Sequence, residues 1–225
     1  VGRPSLDTDR TEVAPRAHLR LTVLYAPTWE GGQASAAYSS LCTHGARMVR
    51  SLLDAGLDVI YRPHPLTGVR VPEFGEADAE LRQLVEAAGG LVSADRSIPQ
   101  DFAEADLILC DISAIANEWL PTGKPLIITN PSDPHTRDAA TALLDTVPRL
   151  AESDSGRTGA IAREEIEHDA LREQRLELVE YYLGDIAPGR SLERFLAACR
   201  RLSSKRDELW ERLQSNDAQP PGNLT

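Results

Sequence analysis

Several things are scarce in this chain of 225 residues, and each scarcity closes off a class of function. Cysteine occurs three times, at Cys42, Cys110 and Cys199, with no CxxC pair, so neither a disulfide framework nor a zinc site is indicated. Basic residues are outnumbered, 24 Lys and Arg against 35 Asp and Glu, for a formal net charge of −11. A nucleic-acid groove needs the opposite balance, as does a basic face laid on a lipid surface, so no nucleic-acid partner is expected. No apolar run approaches the roughly 20 residues that span a bilayer, and Val1–Arg20 does not read as a signal peptide. Gly31-Gly32 matches neither a Walker A loop nor GxGxxG. No metal-ligand cluster is visible, and neither metal nor cofactor is expected.

What is present is an adequate core, 41% hydrophobic, in a chain that alternates strands with helices. Residues 1–18 are polar, carry Pro4 and Pro15, and read as a lead-in. Strands are expected over 21–26, 58–62, 91–92, 106–110 and 125–129, with a final edge strand over 147–150. Helices are expected over 40–55, 74–88, 98–105, 113–120 and 139–145, then as two long stretches over 160–183 and 191–213. Residues 214–225 end in Pro-Pro-Gly and read as a flexible tail. Strands separated by helices predict a parallel sheet with right-handed crossovers, an α/β Rossmann-like domain over 19–213 with helices at its C-terminal end.

Ligands of such sheets bind at the carboxyl ends of the strands, so three strand ends hold the candidate chemistry. Asp111-Ile-Ser113 follows the apolar run Leu107–Cys110 and opens a helix with Ala114 at its start. The free backbone N–H groups there and the Ser113 hydroxyl suit a phosphate. The alternative is a plain helix cap, but Ala116 stands where a capping box needs Glu or Gln. Glu118 lies one turn further, within reach of ribose hydroxyls. Arg62-Pro63-His64-Pro65 closes the second strand, and its flanking prolines restrict the backbone around His64, although a loop histidine is often only solvated. Thr28 in Pro27-Thr28-Trp29 closes the first strand and is placed to donate to a phosphate, unless this is a plain surface loop. His44 reads as packed or solvated, His18, His135 and His168 carry no partner pattern, and the acidic run 163–169 reads as a solvated helix face.

Leu24-Tyr-Ala-Pro-Thr-Trp29, Arg62-Pro-His-Pro65, Ala105-Asp-Leu-Ile-Leu-Cys-Asp-Ile-Ser113 and Gly123-Lys-Pro-Leu-Ile127 occur in an order that resembles the CDP-glycerol glycerophosphotransferase family. These are the teichoic-acid polymerases and primases of bacterial cell walls. Tyr181-Tyr-Leu-Gly-Asp185 and Gly189-Arg-Ser-Leu-Glu-Arg194 resemble that family's closing segment, and the likeness covers about 21–201. It implies the C-terminal, nucleotide-binding lobe of a GT-B enzyme, with the N-terminal lobe and its Trp-His-Gly segment missing. The donor implied is CDP-glycerol or a related CDP-polyol, and the acceptor a polyol-phosphate polymer. His64 is then the catalytic residue, while Thr28, Arg62, Asp111, Ser113, Ala114 and Glu118 bind nucleotide and phosphate. The implied location is cytoplasmic, with membrane contact at the inner face only through the rest of the parent protein. The family commonly has Asp-Tyr-Ser-Ser where this chain has Asp111-Ile-Ser-Ala114. Two other readings stand beside it: a lobe of a UDP-hexose glycosyltransferase or epimerase, and a nucleotide-binding or interaction module without catalysis.

Overall fold

The computed structural model describes residues 3–4, 7, 20–31, 37–132, 136 and 140–217. His18, His135, most of the lead-in and residues 218–225 lie outside the described residues. The chain divides into two compact units, one over Thr11–Tyr182, the other combining Val1–Arg10 with Leu183–Thr225. The boundary falls inside the stretch expected as one lobe over 19–213.

In the larger unit six strands form one sheet: β1 (Thr22–Ala26), β2 (Asp58–Tyr61), β3 (Leu91–Val92), β4 (Leu107–Cys110), β5 (Leu126–Thr129) and β6 (Arg149–Leu150). Every pairing is parallel and the order is β3-β2-β1-β4-β5-β6. The central strands are buried on both faces, which is why they read as unbroken apolar runs. The chain runs outward from β1 to β3, then returns to lay β4 on the other side of β1. That reversal opens a crevice between the carboxyl ends of β1 and β4.

Alternate residues of each strand serve opposite faces. Val23, Tyr25, Val59, Tyr61, Leu107, Leu109 and Ile127 join one core cluster. Met48, Val49 and Leu52 of α1 (Ala46–Asp54), Leu81 and Val85 of α2 (Pro72–Ala87) and Ala162 pack on them. A π-helical turn, Leu41–Gly45, leads into α1. Phe102 of α3 (Ile98–Glu104) meets Trp119 of α4 (Ala114–Trp119) edge-on at 4.9 Å. The Trp119 indole donates to the Pro125 carbonyl at 3.0 Å. A 3-10 turn, Leu120–Thr122, ends at Gly123, whose φ of 66° explains the glycine of Gly123-Lys-Pro125. The Lys124 ammonium donates to the carbonyls of Phe102 (2.8 Å) and Ala105 (2.6 Å), closing the end of α3. This motif is a structural clamp.

After β5 come α5 (Ala142–Thr146), β6, a 3-10 turn (Glu152–Arg157), α6 (Thr158–His168) and α7 (Arg172–Leu183). The single helix expected over 160–183 is therefore two. The break is at Asp169, with φ 41°, whose carboxylate pairs with the buried Arg175 guanidinium, itself bonded to the Gly123 carbonyl. The stretch 163–169 is also more than a solvated face, because Arg163 Nε donates to the Ala55 carbonyl at 2.9 Å. In the smaller unit α8 (Arg190–Asp217) runs four residues past the expected end, and the Asp7 carboxylate accepts from the Leu192 N–H at 2.6 Å. Among the described residues no helix is long and apolar enough to cross a membrane.

Close approach of α1 and α6 depends on Gly159. Its N–H donates to Ser51 Oγ at 3.0 Å, and a Cβ there would lie 2.2 Å from the Ser51 carbonyl oxygen and 2.6 Å from Ala55 Cβ. Gly159→Ala is expected to destabilise the protein by about 1–3 kcal/mol through forced separation of the two helices. Urea denaturation with an unchanged m-value would show it; an unaffected midpoint would mean that the helices slide apart freely.

Candidate functional site

A pocket of about 410 Å³ lies over the crevice. Three strand exits build it: Thr28 after β1, Arg62 and His64 after β2, and Ser113, Ala114 and Glu118 after β4 and on α4. Six of the seven residues expected at the site thus line one cavity. Pro27, Pro63, Pro65 and Ile112 complete much of its wall.

Asp111, expected to contact nucleotide, is the exception. It is fully buried beneath the floor, where its carboxylate accepts from the Thr28 N–H (2.7 Å), the Ser40 N–H (3.2 Å) and the Thr129 hydroxyl (2.5 Å). Burial raises its pKa above the ordinary value, with the bonds from Thr129, Ser40 and Thr28 pulling the other way. A carboxylate facing a phosphate would repel it; here the charge is turned inward to hold the loop carrying Thr28. Thr28 is fixed a second time, its carbonyl accepting from Ser39 Oγ at 2.7 Å.

Arg62 serves the pocket as a wall. Its Nη1 donates to Asp101 Oδ2 (2.7 Å), the Arg96 carbonyl (3.0 Å) and Ser93 Oγ (3.1 Å), which ties the end of β2 to α3. Arg96 reinforces the cluster through Asp101 (3.0 Å) and Glu104 (2.7 Å).

Ser113 stands in extended conformation (φ −157°, ψ 168°) at the cap of α4, yet its side chain makes no capping bond. Its Oγ is buried without a hydrogen-bond partner among the described residues. Buried hydroxyls ordinarily find partners, so this one marks a place where a ligand oxygen would complete the set.

His64 is held by two contacts. Its Nδ1 accepts the Leu66 N–H at 3.1 Å, and its ring stacks on Trp29 with centroids 6.0 Å apart and planes 17° from parallel. The Arg70 guanidinium lies 5.4 Å from the centre of the same indole. Glu30, 7% exposed, accepts from the N–H groups of Gly68 (3.0 Å), Arg70 (2.8 Å) and Val71 (3.3 Å) and so fixes the turn after His64. Burial works to raise the Glu30 pKa, but the backbone donors Arg70, Gly68 and Val71 outweigh it and leave the group lowered. Burial lowers the His64 pKa, opposed by the charge of Glu30. A ring nitrogen that accepts an N–H carries no proton, so neutral His64 bears its proton on Nε2. The site therefore presents an uncharged N–H donor.

Trp29 and Glu30 were not singled out from the sequence. Trp29 lay within a recognised motif, but nothing in one sequence announces a stacking partner 35 positions away. His44 is packed, as one of the two sequence alternatives had it: it is 2% exposed, with Nδ1 2.8 Å from Thr43 Oγ1.

The profile of the family described as CDP-glycerol:poly(glycerophosphate) glycerophosphotransferase matches residues 10–148, more than half of the chain. The chain belongs to this family. Among solved structures it is similar to the wall teichoic acid polymerase TagF at 14% identity and a TM-score of 0.50, over 89% of this chain and 47% of that one. A trehalose 6-phosphate synthase from Burkholderia multivorans matches at 12% identity and a TM-score of 0.50, over 91% and 45%. S. aureus MnaA, solved with UDP, matches at 16% identity and a TM-score of 0.50, over 82% and 45%. These likenesses establish the fold alone, a Rossmann-like parallel sheet flanked by helices as in GT-B enzymes, and the chain spans about half the length of each structure. No sequence match is found among curated proteins.

Two outcomes follow for this family member. Titration of the ring carbons and nitrogens by NMR is expected to give His64 a pKa below the ordinary 6.5, with Nε2 as the protonated nitrogen above it; an Nδ1-protonated ring would refute the assignment. Asp111→Ala removes the acceptor shared by the Thr28 and Ser40 N–H groups. It is expected to cost about 2–4 kcal/mol of stability, from two buried donors left unsatisfied, measured by denaturant unfolding. A loss under about 0.5 kcal/mol would show that the floor does not depend on this carboxylate.

Proposed function

We propose that this chain is the donor-nucleotide-binding lobe of a glycerophosphotransferase that uses CDP-glycerol, or a related CDP-polyol, in the synthesis of a teichoic-acid-like polymer. The observation that carries the reading is the convergence of Thr28, Arg62, His64, Ser113, Ala114 and Glu118 on one pocket at the switch point of the sheet, in a chain of this family. Support for the base comes from the family description and from a TagF variant soaked with CDPG, similar to this chain at 14% identity.

In the reaction so proposed, a hydroxyl oxygen of the acceptor polymer attacks the β-phosphorus of the donor. The bond from that phosphorus to the bridging oxygen breaks, CMP departs with the electron pair, and the hydroxyl proton passes to water or to the departing CMP phosphate. The diphosphate lies against Ser113 and the backbone at Ala114, whose donors stabilise charge as it develops. His64, neutral with its proton on Nε2, donates to a phosphate oxygen and does not serve as the base. Glu118 accepts from the ribose diol, and Thr28 bounds the phosphate from the β1 side. A facing lobe supplies the acceptor and completes the site. The same reading puts the chain on the cytoplasmic side with the nucleotide donor, with any membrane contact made by the rest of the parent protein.

The nucleotide-sugar alternative is kept in view by the UDP-bound relative. Calorimetry on this chain is expected to show CDP binding more tightly than UDP; tighter UDP binding, or no CDP binding, would overturn the donor assignment. Ser113→Ala removes one hydroxyl-to-anion bond, a loss of about 1.5–3 kcal/mol, and is expected to weaken CDP about ten- to a hundredfold. His64→Ala in the full-length parent is expected to lower kcat while sparing most donor affinity. A loss confined to CDP affinity would make His64 a simple binding residue.

A further inference from the structure

The smaller unit carries a surface that the donor cleft does not use. Along α8, Leu192, Phe195, Cys199, Leu202, Leu209 and Leu213 recur at steps of three and four residues, with Arg206 filling the one remaining place in the series. A period of 3.5 residues kept over three heptads marks a seam between paired helices. Leu196 and Trp210 widen the seam along one side, whereas the outer face over 193–215 is charged or polar apart from Ala197. The seam lies open: Leu202, Trp210 and Leu213 are 69%, 63% and 59% exposed, and Leu192, Phe195, Leu196 and Leu209 are exposed as well. A single exposed leucine is ordinary, but a continuous apolar stripe is a contact surface.

Charge is segregated along the same helix. Over 192–206 the basic Arg194, Arg200, Arg201, Lys205 and Arg206 stand with one acidic residue, Glu193. Over 207–215 the acidic Asp207, Glu208 and Glu211 stand with one basic residue, Arg212. The helix dipole favours the reverse order, so the pattern does not serve the stability of α8 by itself. Two such helices laid antiparallel bring the basic stretch of each beside the acidic stretch of the other. Laid parallel, they would set like charges side by side and Arg206 against Arg206 within the seam. The antiparallel seam sets Arg206 against Leu202, where its aliphatic stem packs and its head reaches water.

We propose that α8 is a self-association surface on which a second copy of this chain packs antiparallel, forming a short coiled coil centred at the level of Ser204. Leu209 of each copy then shares a layer of the seam with Cys199 of the other. The assignment is independent of what the cleft binds.

Sedimentation equilibrium of the 225-residue chain is expected to show a monomer–dimer equilibrium that weakens as salt rises, because opposite charges across the seam are screened. Leu209→Glu, at a position already exposed to solvent, is expected to weaken the dimer at least about tenfold, with circular dichroism confirming a folded chain. Orientation is read by disulfide trapping with copper–phenanthroline as oxidant, in a Cys42→Ser background that lacks the other exposed thiol. Leu209→Cys in that background is expected to give a covalent dimer, and Cys199→Ser to abolish it. A background chain linked through Cys199 alone would mean parallel helices and overturn the proposal. A chain monomeric at every concentration, or a dimer that Leu209→Glu leaves intact, would overturn it too.

Discussion

A single buried carboxylate organises the floor of this cleft. Asp111 follows β4 directly, and its oxygens gather the N–H of Thr28 from the exit of β1, the N–H of Ser40 from the entry to α1, and the hydroxyl of Thr129 from the end of β5. Three segments that sequence separates by as many as 101 positions meet at one group with no exposure to water. A charge so placed is costly unless each lone pair is used, and it is tolerated because the donors are delivered by strands already fixed in the sheet. Thr28 has its position because of Asp111, and Ser113 because it lies two residues beyond the same anchor. The geometry of the ligand side is set from beneath.

On the opposite wall a second carboxylate plays a comparable part by other means. Glu30 accepts three backbone N–H groups of the segment after His64, so that segment is held in place although it has no regular structure. The neighbouring Trp29 stacks on the imidazole, and Leu66 N–H occupies one ring nitrogen. Backbone geometry thereby settles which nitrogen carries the proton. In a chain of net charge −11, the pocket wall offers neutral donors at Ser113 and His64, and the carboxylates of Asp111 and Glu30 are bonded to backbone N–H groups while Glu118 stays in the lining.

The architecture was readable from the sequence because buried parallel strands leave a simple trace, short apolar runs closed by Pro, Asp or Thr. The rule that ligands bind at strand ends then picked out Thr28, His64 and Ser113. Asp111 was misplaced for a geometric reason: just past a strand end, one residue faces the crevice and its neighbour faces the floor, and composition does not distinguish them. The helix break at Asp169 was hidden because its cause, the buried pairing with Arg175 and the bond from Arg175 to Gly123, is tertiary. Trp29 and Glu30 were missed on the same ground. Gly123-Lys-Pro125, by contrast, was visible as a motif, but its function as a clamp on α3 needed coordinates.

The return of the chain from β3 to β4 has a consequence for when the site comes into being. β4 pairs with β1 only after some eighty residues have been threaded to the far side of β1 and back. The lining of the cleft runs from Ala26 to Glu118, so no shorter piece of the chain contains it. A ligand that occupied it would favour the chain with β1, β2 and β4 assembled over every state that lacks one of them. Occupancy of the cleft and the lifetime of the folded sheet are therefore coupled.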